Sequence, residues 1–210
     1  RKILKNDIIL VDSGGQYKLG TTDVTRTVSI GKPTKNQILN YTLVLKGHIN
    51  FSTAIFPEGV TGAYLDYIAR AYLWKEGKDY SHGTGHGVGY CLNVHEGPFS
   101  ISRFNNIPLK NGMVFSNEPG YYLEKKYGIR IENLVSTKSI IINGKNFLNI
   151  NTLTLAPYDN DLIDISMLSK EELNWLNDYN KNLYQKLKPY LLEKERNWLY
   201  NNIKKKWKKN

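Results

Sequence analysis

Alternating apolar and polar residues predict two neighbouring β-strands near the start of the chain. Residues 8–17 and 21–30 are rich in β-branched and aliphatic side chains, and residues 18–20 separate them. We therefore expect an antiparallel hairpin. The separating residues, together with the adjacent Gly14 and Gly15, indicate that its turn is irregular and bulged.

A helical spacing of apolar side chains predicts two helices in the next part of the chain. Thr34 and Gln37 form a capping-box pattern, which predicts a helix over residues 35–54, and a second stripe predicts a helix over residues 61–77. These stripes are typical of helices that face a core, with no cofactor role. His48, in the first helix, is expected to be an ordinary, partly exposed side chain.

The pattern changes after Leu155 to that of amphipathic helices. A second capping box begins at Ser169, and apolar residues then recur at helical spacing, with an interruption near Pro189. We expect two helices that form an appendage. Three tryptophans here either pack against the body of the protein, which is the simpler interpretation, or form a surface for self-association: Trp175, Trp198 and Trp207.

Composition limits the class of protein. The chain has 210 residues, of which 40% are hydrophobic, so it can bury a core as one domain plus the appendage. No apolar run approaches the roughly 20 residues of a membrane span, and we expect a soluble protein with no membrane partner. The net charge is +10, but seven basic and two acidic residues lie in residues 193–210 alone. We interpret this excess as a solvated helix end and expect no nucleic-acid partner.

The single cysteine and the first residues bear on the compartment. Cys91 cannot form an internal disulfide, which favours a reducing compartment, and its apolar neighbours favour a buried, structural role. Arg1 is not an initiator methionine, and no signal peptide precedes the first strand. We therefore expect that the chain begins within a domain and that any upstream targeting signal lies outside this sequence.

Five side chains with metal-binding chemistry lie in short segments shaped by glycine or proline. Two acids lie on the predicted hairpin, a third follows a strand predicted over residues 113–116, and a fourth lies on a strand predicted over residues 128–132. The set is Asp12, Asp23, His86, Glu118 and Glu132. Four carboxylates and one imidazole are a hard ligand set, which indicates a dinuclear hydrolytic centre where water attacks a polarised carbonyl. The alternatives are solvated acids in the hairpin and a structural pair of Arg130 with Glu132.

Glycine occupies every second position of the segment from His82 to Gly89. Each glycine disfavours a helix by about 1 kcal/mol relative to alanine, so an extended backbone is expected, with His82 and His86 pointing the same way. The missing side chains would let a ligand or metal approach the backbone. A flexible linker is the less favoured alternative. His95 follows closely, and its clustering with the other histidines favours a functional role over a structural one.

Together these segments resemble the pita-bread metallopeptidases, most closely the Xaa-Pro aminopeptidases. The resemblance covers residues 7–155 and rests on the motifs VDSGGQY, GTTDVTRT, HGTGHGVG, NVHEGP, SNEPGYY and GIRIEN, in that order. The tail resembles the C-terminal extension of the large, three-domain cytosolic type. The resemblance implies an α+β fold: the C-terminal half of the pita-bread domain in residues 1–157 and a helical extension in residues 158–210.

The resemblance also implies a role for each candidate ligand. Asp23 and Glu132 would bridge two divalent ions, Asp12 would complete one site, and His86 with Glu118 would complete the other. Manganese is the usual metal of the family, with zinc or cobalt as alternatives. A hydroxide held between the ions would attack the scissile carbonyl.

Further roles are implied for residues around the metals. Glu118 would orient or deprotonate the nucleophile, and His95 would stabilise the tetrahedral intermediate or carry a proton. His82 would pack against the substrate near its proline. Together with His82 and His95, Arg130 is expected to bind the substrate.

The implied activity is hydrolysis of the N-terminal Xaa-Pro bond of peptides whose second residue is proline. The alternatives are an Xaa-Pro dipeptidase, a methionine aminopeptidase-like enzyme and, from another class, a non-catalytic pita-bread binding module, whose relatives lose metal ligands. Family members also carry an upstream half of the catalytic fold and N-terminal domains that lie outside residues 1–210, so we expect a C-terminal portion. A homodimer formed through the C-terminal region and a cytoplasmic location complete the expectations.

Overall fold

The computed structural model of the chain describes residues 1–91 and 93–203. It is an α+β structure, as predicted. The strands and helices are β1 (Ile8–Tyr17), β2 (Gly20–Ser29), α1 (Lys35–Ser52), β3 (Ile55–Pro57), α2 (Gly62–Lys75), β4 (Gly85–Val88), β5 (His95–Ile101), β6 (Val114–Asn117), β7 (Gly120–Leu123), β8 (Tyr127–Arg130), β9 (Asn133–Ile142), β10 (Lys145–Thr152), α3 (Lys170–Leu187) and α4 (Glu193–Ile203). Trp207 and most of the basic tail lie outside the described residues.

The predicted hairpin is present, but its predicted bulge is wrong. Strands β1 and β2 pair without a register shift, from Ile8 opposite Ser29 to Tyr17 opposite Gly20. Gly14 pairs in register with Asp23, and a Cβ at Gly14 would lie 2.9 Å from the carbonyl oxygen of Thr22. The glycine therefore permits a close approach of the two strands rather than an extra residue in one of them.

A six-stranded antiparallel sheet carries most of the remaining strands, in the order β3-β10-β9-β6-β4-β5. Its register is irregular between His86 and Val88 of β4. Phe115 of β6 is fully buried in the cluster that contains Phe51 of α1 and Leu65 of α2. The sheet thus has a helix-covered face, and alternate residues of β6 point away from it.

Helices α1 and α2 begin and end close to the predicted bounds. Thr34 caps α1 through the predicted capping box with Gln37, and Thr53 ends it. The two helices cross closely at Gly47, where a Cβ would lie 2.1 Å from the carbonyl oxygen of Ala69. Only glycine allows this approach, so Gly47 fixes how the helix pair packs over the sheet.

The C-terminal helices pack against the body of the protein. Ser169 caps α3 through the predicted capping box, and Leu173 and Leu176 share one buried cluster with Tyr41 and Leu45 of α1. Trp175 stacks on Tyr179 within α3, at 5.3 Å between ring centroids. Trp198 of α4 is 61% exposed. Of the described tryptophans considered for self-association, only Trp198 therefore presents most of its ring to solvent.

Two predictions about single residues are wrong. His48 is fully buried rather than partly exposed, because α3 and Tyr158 close over that side of α1. Cys91 is exposed rather than buried, because it lies in the loop between β4 and β5 and not in a strand. In the described part of the chain, no helix is both long enough and apolar enough to cross a membrane.

Candidate metal centre

The predicted ligands line one cavity of about 570 Å³ between the hairpin and the sheet. Asp12 and Asp23 come from β1 and β2, His86 from β4, and the two glutamates from the ends of short strands. Glu118 follows the last residue of β6, and Glu132 lies in the gap between β8 and β9. The predicted strand over 128–132 therefore ends earlier, at Arg130.

Three overlapping groups of side chains bring their ligand atoms within 4.8 Å of one another. One contains Asp12, Asp23 and Glu132, and another contains His86, Glu118 and Glu132. The third joins Asp23 and His86 to His95. Glu132 belongs to the first two groups, which is the arrangement that a bridging carboxylate requires.

His86 is oriented by a backbone contact. Its Nδ1 lies 2.9 Å from the carbonyl oxygen of Gly87, which can only accept, so Nδ1 carries the proton and donates it. Its Nε2 lies 3.4 Å from Asp23 and 3.3 Å from Glu118. Burial lowers the pKa of His86, but the hydrogen bond with Asp23, the Gly87 carbonyl and the charge of Glu118 outweigh burial and raise it.

The two glutamates are buried acids whose pKa values are raised. Burial raises the pKa of Glu118, against the opposing effect of His86. Burial, together with the charge of Glu118, raises the pKa of Glu132 to about 8. Carboxylates held this close and this far from water repel one another, and a cation among them would remove that cost.

Arg130 sits on the rim of the cavity rather than in a pair with Glu132. Its guanidinium forms an ion pair with Asp12 and lies 3.9 Å from Glu118. It also donates a hydrogen bond of 3.2 Å to the hydroxyl of Tyr122. Glu132 is thereby left without the structural partner that the sequence offered as an alternative.

The two other candidate histidines also line the cavity. His82 donates from Nδ1 to the carbonyl oxygen of Gly83 at 2.7 Å, so its Nε2 accepts from the hydroxyl of Tyr122 at 2.9 Å. Burial lowers the pKa of His82, which favours the neutral ring. His95 is exposed, and its ring centroid lies 4.1 Å from that of His86.

The alternating glycines do not have the predicted role of admitting a ligand or metal to the backbone. A Cβ at Gly85 would lie 1.9 Å from the carbonyl oxygen of Ser116, and one at Gly87 would lie 2.2 Å from that of Glu96. Neighbouring backbone, rather than a ligand or metal, fills the space that the missing side chains leave. The glycines thus let β4 approach its neighbours closely, while His86 lines the cavity.

Three residues of the site were not among the candidates. Thr25 donates a hydrogen bond of 2.7 Å from Oγ1 to Oε2 of Glu132, and Ser116 donates one of 3.0 Å from Oγ to Oε1 of Glu118. Tyr122 joins His82 to Arg130. Thr25 and Ser116 lie within the GTTDVTRT and SNEPGYY motifs, two residues away from a predicted ligand, a spacing that places residues of a strand on the same face. Tyr122 lies at the end of the SNEPGYY motif, which gave no sign of its contacts with His82 and Arg130.

The chemistry of this donor set fits a pair of divalent ions. Oxygen donors predominate, His86 turns its Nε2 toward two carboxylates, and burial together with the charge of Glu118 raises the pKa of Glu132 to about 8. The residues that could hold the ions are those of the three groups: Asp12, Asp23, His86, His95, Glu118 and Glu132.

Comparison with known proteins also indicates a metallopeptidase. Residues 1–139 match the model of metallopeptidase family M24, and residues 146–206 match the C-terminal region of peptidase M24. A probable Xaa-Pro aminopeptidase P of Arthroderma gypseum is 49% identical over 90% of this chain and 31% of its own length. This chain thus spans about a third of the length of that relative.

Solved structures show the same fold. An X-prolyl aminopeptidase from Caenorhabditis elegans, described as a cytosolic enzyme with a di-nuclear active site, superposes with a TM-score of 0.89. It is 45% identical over 94% of this chain and 33% of its own. A prolidase from Pyrococcus furiosus superposes with a TM-score of 0.65 and is 34% identical, over 74% of this chain and 43% of its own. The chain therefore belongs to metallopeptidase family M24 and has the pita-bread fold of that family.

Proposed function

We propose that the protein containing this chain is a metal-dependent aminopeptidase that hydrolyses the N-terminal Xaa-Pro bond of peptides. The observation that carries the proposal is the convergence of five predicted ligands from separate elements on one cavity. Relatives named Xaa-Pro aminopeptidase match almost the whole chain, including the helical region that follows the site. The substrates would be peptides with proline at the second position.

We propose Asp12, Asp23, His86, Glu118 and Glu132 as the ligands of two divalent ions, with manganese as the metal and zinc or cobalt as alternatives. Such ions would supply a water of lowered pKa and an electrophile for the scissile carbonyl. Glu118 would accept the proton that this water loses. The proposal draws support from the raised pKa of Glu118, because a carboxylate with a raised pKa is a stronger proton acceptor.

The residues on the rim of the cavity are proposed to handle the substrate. His95 would donate a hydrogen bond to the carbonyl oxygen as it gains negative charge, and its exposed position beside His86 supports this role. His82 offers an imidazole face to the proline ring, held by Gly83 and Tyr122. Arg130 would contact the peptide, since its guanidinium lines the same cavity.

The organisation of the whole protein is also part of the proposal. Residues 1–157 would belong to the catalytic domain and residues 158–210 to a helical extension through which a homodimer forms. Exposed Trp198 and Leu192 near the end of the described chain offer apolar surface for such a contact. A cytoplasmic location is proposed from the cytosolic description of the Caenorhabditis elegans relative.

Chelation tests this proposal in the full-length protein. A chelator should abolish cleavage of an Xaa-Pro-Yaa tripeptide, and added Mn²⁺ should restore it, because the cavity needs cations to make water reactive. An Xaa-Pro dipeptide serves as the matched substrate. Cleavage of the dipeptide alone would indicate a dipeptidase instead. Activity that Asp23→Ala and Glu132→Ala leave unchanged would contradict the metal mechanism and favour a binding module.

A further inference from the structure

The backbone of Glu132 lies outside both neighbouring strand ladders. Pairing of β7 with β8 ends at Arg130, and pairing of β6 with β9 begins at Asn133. The amide of Glu132 donates to the carbonyl oxygen of Thr25 at 3.0 Å. Its carbonyl oxygen has no strand partner and accepts instead from Nη1 of Arg26, at 2.6 Å. The guanidinium of Arg26 thus supplies the hydrogen-bond donor that a neighbouring strand supplies to carbonyl oxygens elsewhere in the sheet.

Arg26 binds neutral acceptors rather than an acid. Besides Glu132, its Nη1 donates to the carbonyl oxygen of Thr25 at 2.9 Å, and its Nη2 donates to Oδ1 of Asn133 at 2.7 Å. In the described part of the chain, no acidic side chain forms an ion pair with Arg26. The planar guanidinium therefore fixes the relative position of β2 and the Glu132 segment through several directional bonds.

The other side of the same guanidinium faces the chain that leads into the C-terminal helices. Nη2 donates to the carbonyl oxygen of Ala156 at 2.8 Å, and Nε donates to that of Pro157 at 3.0 Å. The hydroxyl of Tyr179 in α3 lies 3.3 Å from Nη2 and donates to Ala156 at 2.8 Å. The ring of Tyr158 packs under the guanidinium, with 4.6 Å from Cζ to the ring centroid.

We infer that Arg26 is a positioning residue that ties the C-terminal helical region to the metal-binding carboxylate of Glu132. This inference rests on the proposed function. Removal of the Arg26 side chain leaves the carboxylate of Glu132 in place but breaks the hydrogen bond to its backbone carbonyl oxygen. The carboxylate then no longer has a fixed direction. Outer residues that orient a metal ligand typically contribute 10- to 100-fold in metal affinity.

The test compares metal binding by variants of the full-length protein. Arg26→Ala, stripped by a chelator, should bind Mn²⁺ about 10- to 100-fold more weakly than the wild type in titration calorimetry. Arg26→Lys should give an intermediate loss, because an ammonium group cannot reach as many acceptors at once. At saturating Mn²⁺, kcat should fall while KM for an Xaa-Pro-Yaa tripeptide stays close to that of the wild type. Added methylguanidinium should partly restore Mn²⁺ binding to Arg26→Ala.

Glu172→Gln is the matched control. Glu172 anchors α3 to α1 through an ion pair of 2.6 Å with Lys46, and its described bonds reach neither β2 nor Glu132. It should lower the Tm and leave Mn²⁺ affinity unchanged. Should Arg26→Ala fail to fold, Arg26→Lys and Tyr179→Phe carry the test, the latter with a loss of a few-fold.

Three outcomes would decide against the inference. Wild-type Mn²⁺ affinity in the Arg26 variants would overturn it alone and leave the proposed function standing. Glu172→Gln could also lose as much Mn²⁺ affinity as Arg26→Ala while the two variants have the same Tm. That result would show that general loosening of α3 is responsible, which also overturns the inference. Failure of the wild-type protein to bind Mn²⁺ would overturn the proposed function, and the inference with it.

Discussion

Uncharged hydroxyls hold the buried acids of this molecule in place. Thr25 donates to Glu132, and Ser116 donates to Glu118 while its Oγ also accepts from the amide of His86. A hydroxyl orients a carboxylate without neutralising it, so the negative charge stays available to a cation. These contacts explain how a dense cluster of acids keeps one geometry.

Replacement of Thr25 by valine tests this role. Thr25→Val keeps the shape but removes the donor to Glu132, and we expect Mn²⁺ affinity of the full-length protein to fall about 10- to 100-fold. Thr27→Val is the control, because Thr27 is equally buried on the same strand, and within the described part of the chain its hydroxyl bonds only the backbone of Arg130. Calorimetric titration measures both. Equal affinities for the two variants would contradict the assignment.

Buried His48 predicts a dependence of stability on pH. Burial, with a further effect of the Arg26 charge, lowers its pKa from 6.5 to about 3, and it bonds Tyr158 and Asn133 as a neutral ring. The unfolded chain takes up this proton below pH 6.5 and the folded chain does not, so the free energy of unfolding falls as pH falls from 6.5 toward 3. Above that range the contribution is complete.

The measurement is urea unfolding of metal-free full-length protein at pH 7 and pH 5. The wild type should lose about 2 kcal/mol more between these values than His48→Gln, which keeps a hydrogen-bonding side chain but cannot take up the proton. Other titrating groups act equally on both proteins, so the difference isolates His48. An identical pH dependence would show that His48 is not held neutral by burial.

At the scale of elements, β4 shows why a strand so rich in glycine is stable. Its glycines lie against carbonyl oxygens of the segments on either side: Ser116 for Gly85 and Glu96 for Gly87. The sheet compensates for the weak strand propensity of glycine by bringing backbones closer than any side chain allows. His86 is consequently fixed between two close neighbours.

Gly85→Ala should therefore disrupt both the fold and the site. The added methyl group would lie 1.9 Å from the carbonyl oxygen of Ser116, so β4 and β6 must separate, at a cost of about 3 kcal/mol. Mn²⁺ affinity should fall as well, because His86 moves with β4. Gly97→Ala is the control, since a Cβ there meets nothing within 4 Å. Chemical unfolding and calorimetry measure the two effects, and wild-type behaviour of Gly85→Ala would contradict this account.

At the scale of the whole molecule, the main feature is an apolar surface that the chain leaves exposed. A cleft of about 600 Å³ beside the metal centre is lined by Leu19, Tyr90, Val114 and Leu153, all of them exposed. The matched relative is about three times as long as this chain. Apolar surface of this kind promotes association when nothing covers it.

We predict that residues 1–210 expressed by themselves aggregate or bind metal poorly. Exposed apolar surface around the cleft would drive the chains together, and the site would lose its geometry. Light scattering and Mn²⁺ titration measure these effects, with the full-length protein as the control. A monomeric, well-folded and fully active 210-residue segment would refute the prediction.

The sequence by itself determined the helices, the hairpin and the type of chemistry. Both capping boxes, at Thr34 and Ser169, lie where predicted, and helical spacing located α1 and α2 within a few residues and predicted the two helices that follow Ser169. Such signals are local, because a cap or a helix turn depends on residues three or four positions apart. The hard ligand set was equally legible, since it depends on side-chain type.

Only the tertiary structure decided burial, register and the supports of the site. His48 is buried and Cys91 exposed against expectation, and the hairpin has no bulge. The bond from Arg26 to Glu132 joins residues 106 positions apart. The sequence around either residue does not encode this contact, because the contact depends on which elements pack together. Residue types thus specify what a site is able to do, and packing specifies which side chains hold it in shape.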